Sequence, residues 1–326
     1  MRSYFVLLSL LLFLSSCSSD SPEQEKPEPK PTEKYFTNHK AFSSQAEVDD
    51  FAEEGFTVIT GNLILSVGAY NSKDPITDVS GLSSLTSVRG DVYIIGTDLV
   101  DLDGLENIDL EDDSFISIVN NPFLKNVKGL GGITGEVRQL EIRMSPNLEN
   151  LNGLEGITGV SYQLELRDLP KLNNLSPLSN IQQPVEYMYL TGTGIISTNG
   201  IGNIPQVKDL WIVHNDKLTS LNLPGLKKVD FFQIQHNSIL ENISGLTNLE
   251  DVQQLGISYN ESLTSLNGLE GLKAHGDLFV RAINNNSLEN YCSLQNLIAA
   301  GWTGFNALQN LYNPTIEQVA GEECKL

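Results

Sequence analysis

The sequence predicts a β-rich solenoid, a stack of about ten short coils with parallel sheets along its faces and a helical cap at each end. Three observations predict it. An apolar-x-apolar triplet returns at Leu63/Leu65, Val92/Ile94, Ile116/Ile118, Leu140/Ile142, Leu164/Leu166, Met188/Leu190, Leu210/Ile212, Phe232/Ile234, Leu255/Ile257 and Leu278/Val280, with first positions 29, 24, 24, 24, 24, 22, 22, 23 and 23 residues apart. Two further apolar stations follow each triplet in fixed order: an L-x-x-L step, as in Leu148/Leu151 and Leu263/Leu266, then a Gly-Leu corner, as in Gly104-Leu105 and Gly153-Leu154. Helix signals flank the repeats on both sides. One coil of this length cannot bury its own apolar face, whereas coils stacked in register can.

Residues 1–16 read as a secretory signal, in which Arg2 supplies the positive start and Tyr4 to Leu14 an apolar run too short to span a bilayer. The text Leu14-Ser15-Ser16-Cys17 resembles the lipobox of bacterial lipoproteins, where the cysteine is lipidated and becomes the mature first residue. That resemblance implies attachment to a membrane through lipid on Cys17 and a bacterial envelope location. Ser18 fits outer-membrane sorting, and Asp20, Glu23 and Glu25 loosely resemble the surface-export tract of Bacteroidetes lipoproteins. Residues 17–35 are mostly Ser, Pro, Glu and Lys, too polar to form a core, and are expected to be a disordered linker.

Residues 36–57 form the expected N-terminal cap. Ser44-Gln45-Ala46-Glu47 is a capping-box pattern that opens a short helix with apolar positions at Val48, Phe51 and Phe56. The solenoid proper covers 58–291. Its triplets alternate apolar and polar, as half-buried strands do, and glycine at the corners suits a close backbone approach or a positive φ. Residues 292–326 are the expected C-terminal cap, with a helix around Leu294 to Ala300, then Asn313-Pro314 as N-cap and first helical residue, and Ile316 to Ala320 stopped by Gly321. With Cys17 assigned to lipid, Cys292 and Cys324 remain as the one cysteine pair of an exported chain, and a disulfide between them is expected. The alternative is a pair of buried thiols.

The repeat text, for example Asp101-Leu102-Asp103-Gly104-Leu105-Glu106-Asn107-Ile108 and Leu263-Thr264-Ser265-Leu266-Asn267-Gly268-Leu269, resembles the receptor L-domain branch of leucine-rich repeats, of the kind found in Bacteroidetes lipoproteins. The resemblance spans roughly Thr57 to Leu294. It implies a right-handed leucine-rich-repeat or β-helix-like stack and binding in place of catalysis. The chain departs from the receptor versions in lacking their many cysteines.

If the triplet residues point inward, the residues before, between and after them point outward. Tyr187, Tyr189, Trp211 and Phe231 then share one face, with Val213 beside them. Exposed aromatics gathered in this way mark either a recognition surface for protein or glycan or a ladder that stiffens the sheet. Glu141/Arg143 and Glu165/Arg167 repeat at a 24-residue offset and are expected to form a solvated ladder of ion pairs. His214 and His236 should lie about 5 Å apart in adjacent coils. The equivalent positions in the flanking coils, Gly192 and Tyr259, are poor completing ligands, so no metal site is assigned there. Asp109, Glu111, Asp112 and Asp113 could hold calcium, but a solvated turn is the plainer account. Asn215, Asn237 and Asn260, with Asn121 earlier, resemble the asparagine ladder of leucine-rich repeats.

The net charge of -21 argues against nucleic acid and anionic lipid surfaces as partners. No nucleophile, metalloprotease or P-loop motif is present, so neither catalytic residues nor a cofactor are assigned. The sequence therefore predicts a lipid-anchored, non-catalytic recognition protein of the cell envelope that binds a protein or glycan. A structural or adhesive scaffold is the alternative reading, and a glycan-active β-helix enzyme the third.

Overall fold

The computed structural model describes residues 32–67, 73–321 and 323–326. The expected signal segment, Cys17 and the expected linker through residue 31 lie outside the described residues. Residues Glu33–Leu326 form one unit built on a single parallel sheet of twelve strands. These strands are β1 (Lys40–Phe42), β2 (Leu63–Ser66), β3 (Val92–Ile95), β4 (Phe115–Val119), β5 (Gly135–Arg143), β6 (Ile157–Leu169), β7 (Val185–Thr193), β8 (Gln206–Val213), β9 (Lys228–Gln235), β10 (Asp251–Ser258), β11 (Phe279–Ile283) and β12 (Phe305–Leu308). Each strand pairs with its predecessor and successor in the chain, so every return of the backbone adds one rung. The architecture is a leucine-rich-repeat or β-helix-like solenoid.

Nine of the ten triplets stand in the register the spacing predicts, as in Leu164 opposite Met188 and Leu210 opposite Phe232. The tenth does not. Leu255 and Ile257 pair with Val280 and Ala282, so the inward pair of β11 is Val280/Ala282, not Leu278/Val280. Leu278 is buried just ahead of the strand, and Phe279 still points outward because the shift is an even number of residues. The sheet also extends into both caps. β1 precedes the first triplet and pairs with β2, while β12 lies inside the C-terminal cap and pairs with β11.

The other faces are narrower. Tyr35–Phe36, Val58–Ile59, Ser87–Val88 and Asp109–Leu110 form a second parallel sheet along the first coils. Corners at Ser80–Leu82, Lys128–Leu130 and Ser176–Leu178 are single 3₁₀ turns whose leucines are fully buried. Each is opened by a short polar side chain that accepts from the amide two residues on: Asp78 from Ser80 at 2.8 Å, Asn126 from Lys128 at 3.1 Å, and Asn174 from Ser176 at 3.0 Å. Such Asx turns fix the bend without spending a backbone carbonyl on it. At the corners the coils nearly touch. A Cβ on Gly129 would lie 1.8 Å from Leu102 O, which is why glycine is required there.

The N-terminal helix, α1 (Gln45–Glu54), buries Val48 and Phe51 against the first coil. Ser44 caps it by accepting from Glu47 N at 3.3 Å, but the Glu47 carboxylate takes the amide of Ser43, so the expected reciprocal box is displaced by one residue. Phe56 lies beyond the Gly55 cap and stacks on Phe51 at 5.0 Å. At the other end, α2 (Gln295–Ala299) and α3 (Ile316–Ala320) follow the last corner. Thr315, not Asn313, is the N-cap of α3 and forms a capping box with Gln318. Cys292 and Cys324 are disulfide-bonded with Cα atoms 4.9 Å apart, tying the chain end to the last corner. A link closing a 32-residue separation stabilises by about 3–4 kcal/mol in the chain-entropy treatment.

Asn313 serves a different structure. At the end of each strand from β3 to β12 the backbone passes through a left-handed residue, Asn120, Met144, His214, His236, Tyr259, Asn284, Gln309 or Gly96 just past its strand and Asp168 or Gly192 as the last residue but one. The next residue points inward. In the later coils it is Asn215, Asn237, Asn260, Asn285 and Asn310. Asn237 shows the pattern: its Oδ1 accepts from Asn215 N at 3.0 Å, and its Nδ2 donates to Ile212 O at 2.9 Å. Asn313 ends the ladder by accepting from Asn310 N at 2.9 Å. In earlier coils the column falls to Thr97, Asn121, Ser145, the apolar Leu169 and Thr193, of which Thr97 and Thr193 donate their hydroxyls to Asn121 and Asn215. Asn237→Ala should strand one buried amide and one buried carbonyl and lower unfolding free energy by about 2–4 kcal/mol. Denaturant unfolding of the variant checks this, and a loss below about 1 kcal/mol would show the ladder to be dispensable.

Candidate functional site

The outward face of the long sheet carries the candidate site. Along β7 to β9 the inward residues Met188, Leu190, Leu210, Ile212, Phe232 and Ile234 are buried, while their neighbours alternate to the surface. The structure brings the predicted aromatics together on three adjacent strands. Tyr189 is directly opposite Trp211, and Tyr187 and Phe231 flank Asp209 in the neighbouring row. Trp211 is 42 % and Phe231 37 % exposed, whereas Tyr187 and Tyr189 are half-buried. Val213 is beside them at the end of β8, between Thr191 and Gln235.

The sequence reading of this row kept its aromatic members and missed Asp209. Its carboxylate is half-buried between the rings, and Oδ1 has neither solvent contact nor a hydrogen-bond partner. Burial, with the neighbouring Asp230 adding to it, raises its pKa, against the opposing effect of Lys208. Lys208 itself turns to Tyr187, with its Nζ 5.4 Å from the ring centroid and 3.4 Å from the hydroxyl. Tyr187 also meets Tyr162 edge-on at 5.2 Å, and Arg138 lies over both Tyr162 and Phe115 at 5.5 Å, so the aromatic surface continues toward β4. Burial, followed by the Asp209 charge, pushes the Tyr189 hydroxyl above its ordinary value.

Adjoining the aromatics is the Glu-Arg ladder, and here the structure corrects the expectation. Arg143 Nε lies 2.6 Å from Glu141 Oε1 and Arg167 Nε 3.0 Å from Glu165 Oε1, as the spacing predicts. The carboxylates are not solvated, however: Glu141 is 9 % and Glu165 5 % exposed. Their other oxygens accept from Ser117 Oγ and Gln163 Nε2, each at 2.7 Å. Their arginines and these hydrogen-bond donors enclose them, which a count of polar residues does not show. On the far side Tyr93 donates to Asp91 at 2.9 Å, and its hydroxyl is pushed up to about 12 by burial and then by that carboxylate.

His214 and His236 do lie side by side, as a stack and not as ligands. Their rings are 4.5 Å apart and 14° from parallel, and Tyr259 continues the stack at 4.5 Å and 5°. All three occupy the left-handed column, which holds their side chains in line. Among the described residues no group of three or more His, Cys, Asp or Glu side chains could hold a metal ion. Asp109, Glu111, Asp112 and Asp113 do not converge. Asp109 is in a strand of the second sheet, and Asp113 faces Arg138 at 3.7 Å.

Two shallow grooves lie away from this face. One of about 560 Å³ is lined by Ser197, Asn199, Ser220, Asn222, Asn242 and Ser244, where the corners of the shorter coils flatten into the parallel pair Ser220–Asn222 and Asn242–Gly245. Its polar side chains are largely engaged in corner turns, as where Ser197 Oγ accepts from Asn199 N at 3.0 Å. The second, of about 520 Å³, is lined by charged and polar side chains, among them Lys228, paired with Asp251 at 3.0 Å, and His275, whose Nε2 lies 3.3 Å from the same carboxylate.

No protein-family model matches the chain, and no curated protein matches it. Among solved structures it is similar to a chain of the TLR13–ssRNA13 complex, at 13% identity over 86% of this chain, with a TM-score of 0.29. The match spans 47% of that chain, about half its length, and is too slight to carry an argument about function.

The histidine stack has a pH consequence. Burial, then the neighbouring His214, lowers the pKa of His236 from its ordinary 6.5. The unfolded chain therefore takes up this proton more readily than the folded one. The contribution is intact above about pH 6.5 and is lost as pH falls through the folded value. The thermal midpoint should drop as pH is lowered from about 7.5 to about 5, and His236→Gln should remove part of that drop. A drop of equal size in the variant would place the pH response elsewhere.

Proposed function

We propose that this protein is a non-catalytic recognition module, anchored by lipid on Cys17 to a bacterial membrane and binding a protein or glycan through the outward face of β7 to β9. The lipobox-like text Leu14 to Cys17 supports the anchor, and the receptor L-domain-like repeats support the membership we infer. One observation carries the binding assignment. Tyr187, Tyr189, Trp211 and Phe231 turn away from a core that is already full, and contribute nothing to it. Rigid amphipathic rings on a flat rigid sheet offer a large contact area with little loss of side-chain freedom.

The same face bears on the alternatives. Glu141 and Glu165, adjacent carboxylates on this face, each hold an arginine of their own strand. Occupied in that way, neither is free to move a proton to a substrate. A purely structural scaffold would account for an aromatic ladder, but not for leaving Trp211 open with the glutamine Gln233 as its partner on the next strand.

The experiment is a binding array of glycans and envelope proteins, probed with the full chain and with Trp211→Ala. The variant should lose about 2 kcal/mol or more of binding to the partner found. Its stability should change by less than about 1 kcal/mol, since little of the exposed ring is removed from a packed site. Unchanged affinity would leave the patch a stacking device. Membrane fractionation tests the anchor: Cys17→Ala should release the protein into the soluble fraction, and mass spectrometry showing an unmodified mature start elsewhere would refute lipidation.

A further inference from the structure

The outward face treats its carboxylates in two different ways. On β5 and β6 each buried glutamate is neutralised from its own strand, Glu141 by Arg143 and Glu165 by Arg167. The register continues the arginine column across β7, β8 and β9 as Thr191, Val213 and Gln235. The supply of cations on this column thus stops where the aromatic patch begins. Asp209 sits in that patch, flanked across the strands by Tyr187 and Phe231, with Trp211 two residues along its own strand. Its Oδ1 is shut off from water and accepts no hydrogen bond. Lys208, next in sequence, is engaged with Tyr187.

A carboxylate oxygen withdrawn from water without a hydrogen bond is costly to keep charged, and native proteins rarely leave one so. Aromatic faces around it attract the one class of group that would also satisfy it, an organic cation. We propose that Asp209 and its surrounding rings receive a basic side chain, arginine or lysine, from a protein partner, so that the partner completes on β8 the pairing that Arg143 and Arg167 complete on β5 and β6. This rests on the recognition reading above and names its ligand as a basic protein segment. Charge complementarity favours that occupant: the chain carries -21, and Glu186, Asp209 and Asp230 gather around the one lysine of these positions, Lys208, leaving this part of β7 to β9 net acidic. Direct Arg-carboxylate contact also supplies the orientation that a flat face lacks.

Trp211 provides the readout. The chain has two tryptophans, and Trp302 is buried at 6 % exposure, so a surface ligand acts on the fluorescence of Trp211. The full chain is titrated with tetra-arginine at about 0.15 M salt, where distant charges are screened, and with tetra-glutamate and a neutral oligosaccharide as counter-probes. Tetra-arginine should change the fluorescence saturably, and Asp209→Asn, which keeps the shape and removes the charge, should weaken it at least about tenfold. Glu241→Gln, which removes one exposed charge outside this face, should stay within about twofold. Asp209→Asn should not lower the thermal midpoint, because Oδ1 accepts no hydrogen bond in the free protein and burial already disfavours the charge. Equal binding by wild type and Asp209→Asn, or an equal loss in Glu241→Gln, overturns the assignment. A response to the neutral or acidic probe but not to tetra-arginine overturns it while leaving the recognition face standing. Silence from all three probes, together with an empty binding array, overturns both.

Discussion

The whole stack depends on how the chain leaves each strand of the long sheet. It must turn sharply at a buried position, and a turn there exposes backbone N–H and C=O groups to a region without water. The solution is a pair of residues repeated coil after coil. The first takes a left-handed conformation, which costs a residue with a side chain about 1–2 kcal/mol. The second, an asparagine in the later coils, returns that energy by bonding the amide of the preceding coil and a carbonyl of its strand, as Asn237 does with Asn215 and Ile212. These bonds run between coils, so no coil can be satisfied alone. Cooperativity follows from the hydrogen bonding as much as from the leucines.

A rigid, regular interior makes the outer face a free variable. Once Leu140/Ile142 or Leu210/Ile212 point inward, the residues between and beside them can change without disturbing the core. This chain uses the freedom in blocks. β5 and β6 carry paired Glu and Arg, and β7 to β9 carry Tyr, Trp, Phe and an Asp with one unsatisfied oxygen. The change of block coincides with a change of coil length, from 24 residues to 22. The shorter coils also lose their tight corner and acquire the extended pair Ser220–Asn222 and Asn242–Gly245.

How much of this was legible in the sequence depends on whether a residue signals its position by type. Leucine, isoleucine and the corner glycines do, so the coils and their order could be read directly. Ala282 and Ala307 do not. Alanine is too small to stand out as a core station, which is why the register of β11 was read two residues early and β12 was read as part of a helical cap. Tyr189 and Trp211 could be assigned to the surface because they alternate with an unmistakable core. The burial of Glu141 and Glu165 could not, because it depends on how Arg143, Arg167 and Gln163 fold over them and on Ser117 across the sheet, which residue type does not signal. Asn313 read as a helix cap, since the residue type suits both roles, and only the distance to Asn310 distinguishes them.

Asp209 shows where such reading has to change its unit. Along the chain it is an unremarkable aspartate after a lysine. Across the sheet it belongs to a row that runs Gln139, Gln163, Tyr187, Asp209, Phe231, Gln254, and in that row it is the sole charge. In a parallel solenoid with one strand per coil, rows of this kind are what the outward face presents, and the members of this one are never closer than 22 residues in sequence. The chemistry of the surface is therefore written at the period of the coil. The core fixes that period, and through it decides which residues meet.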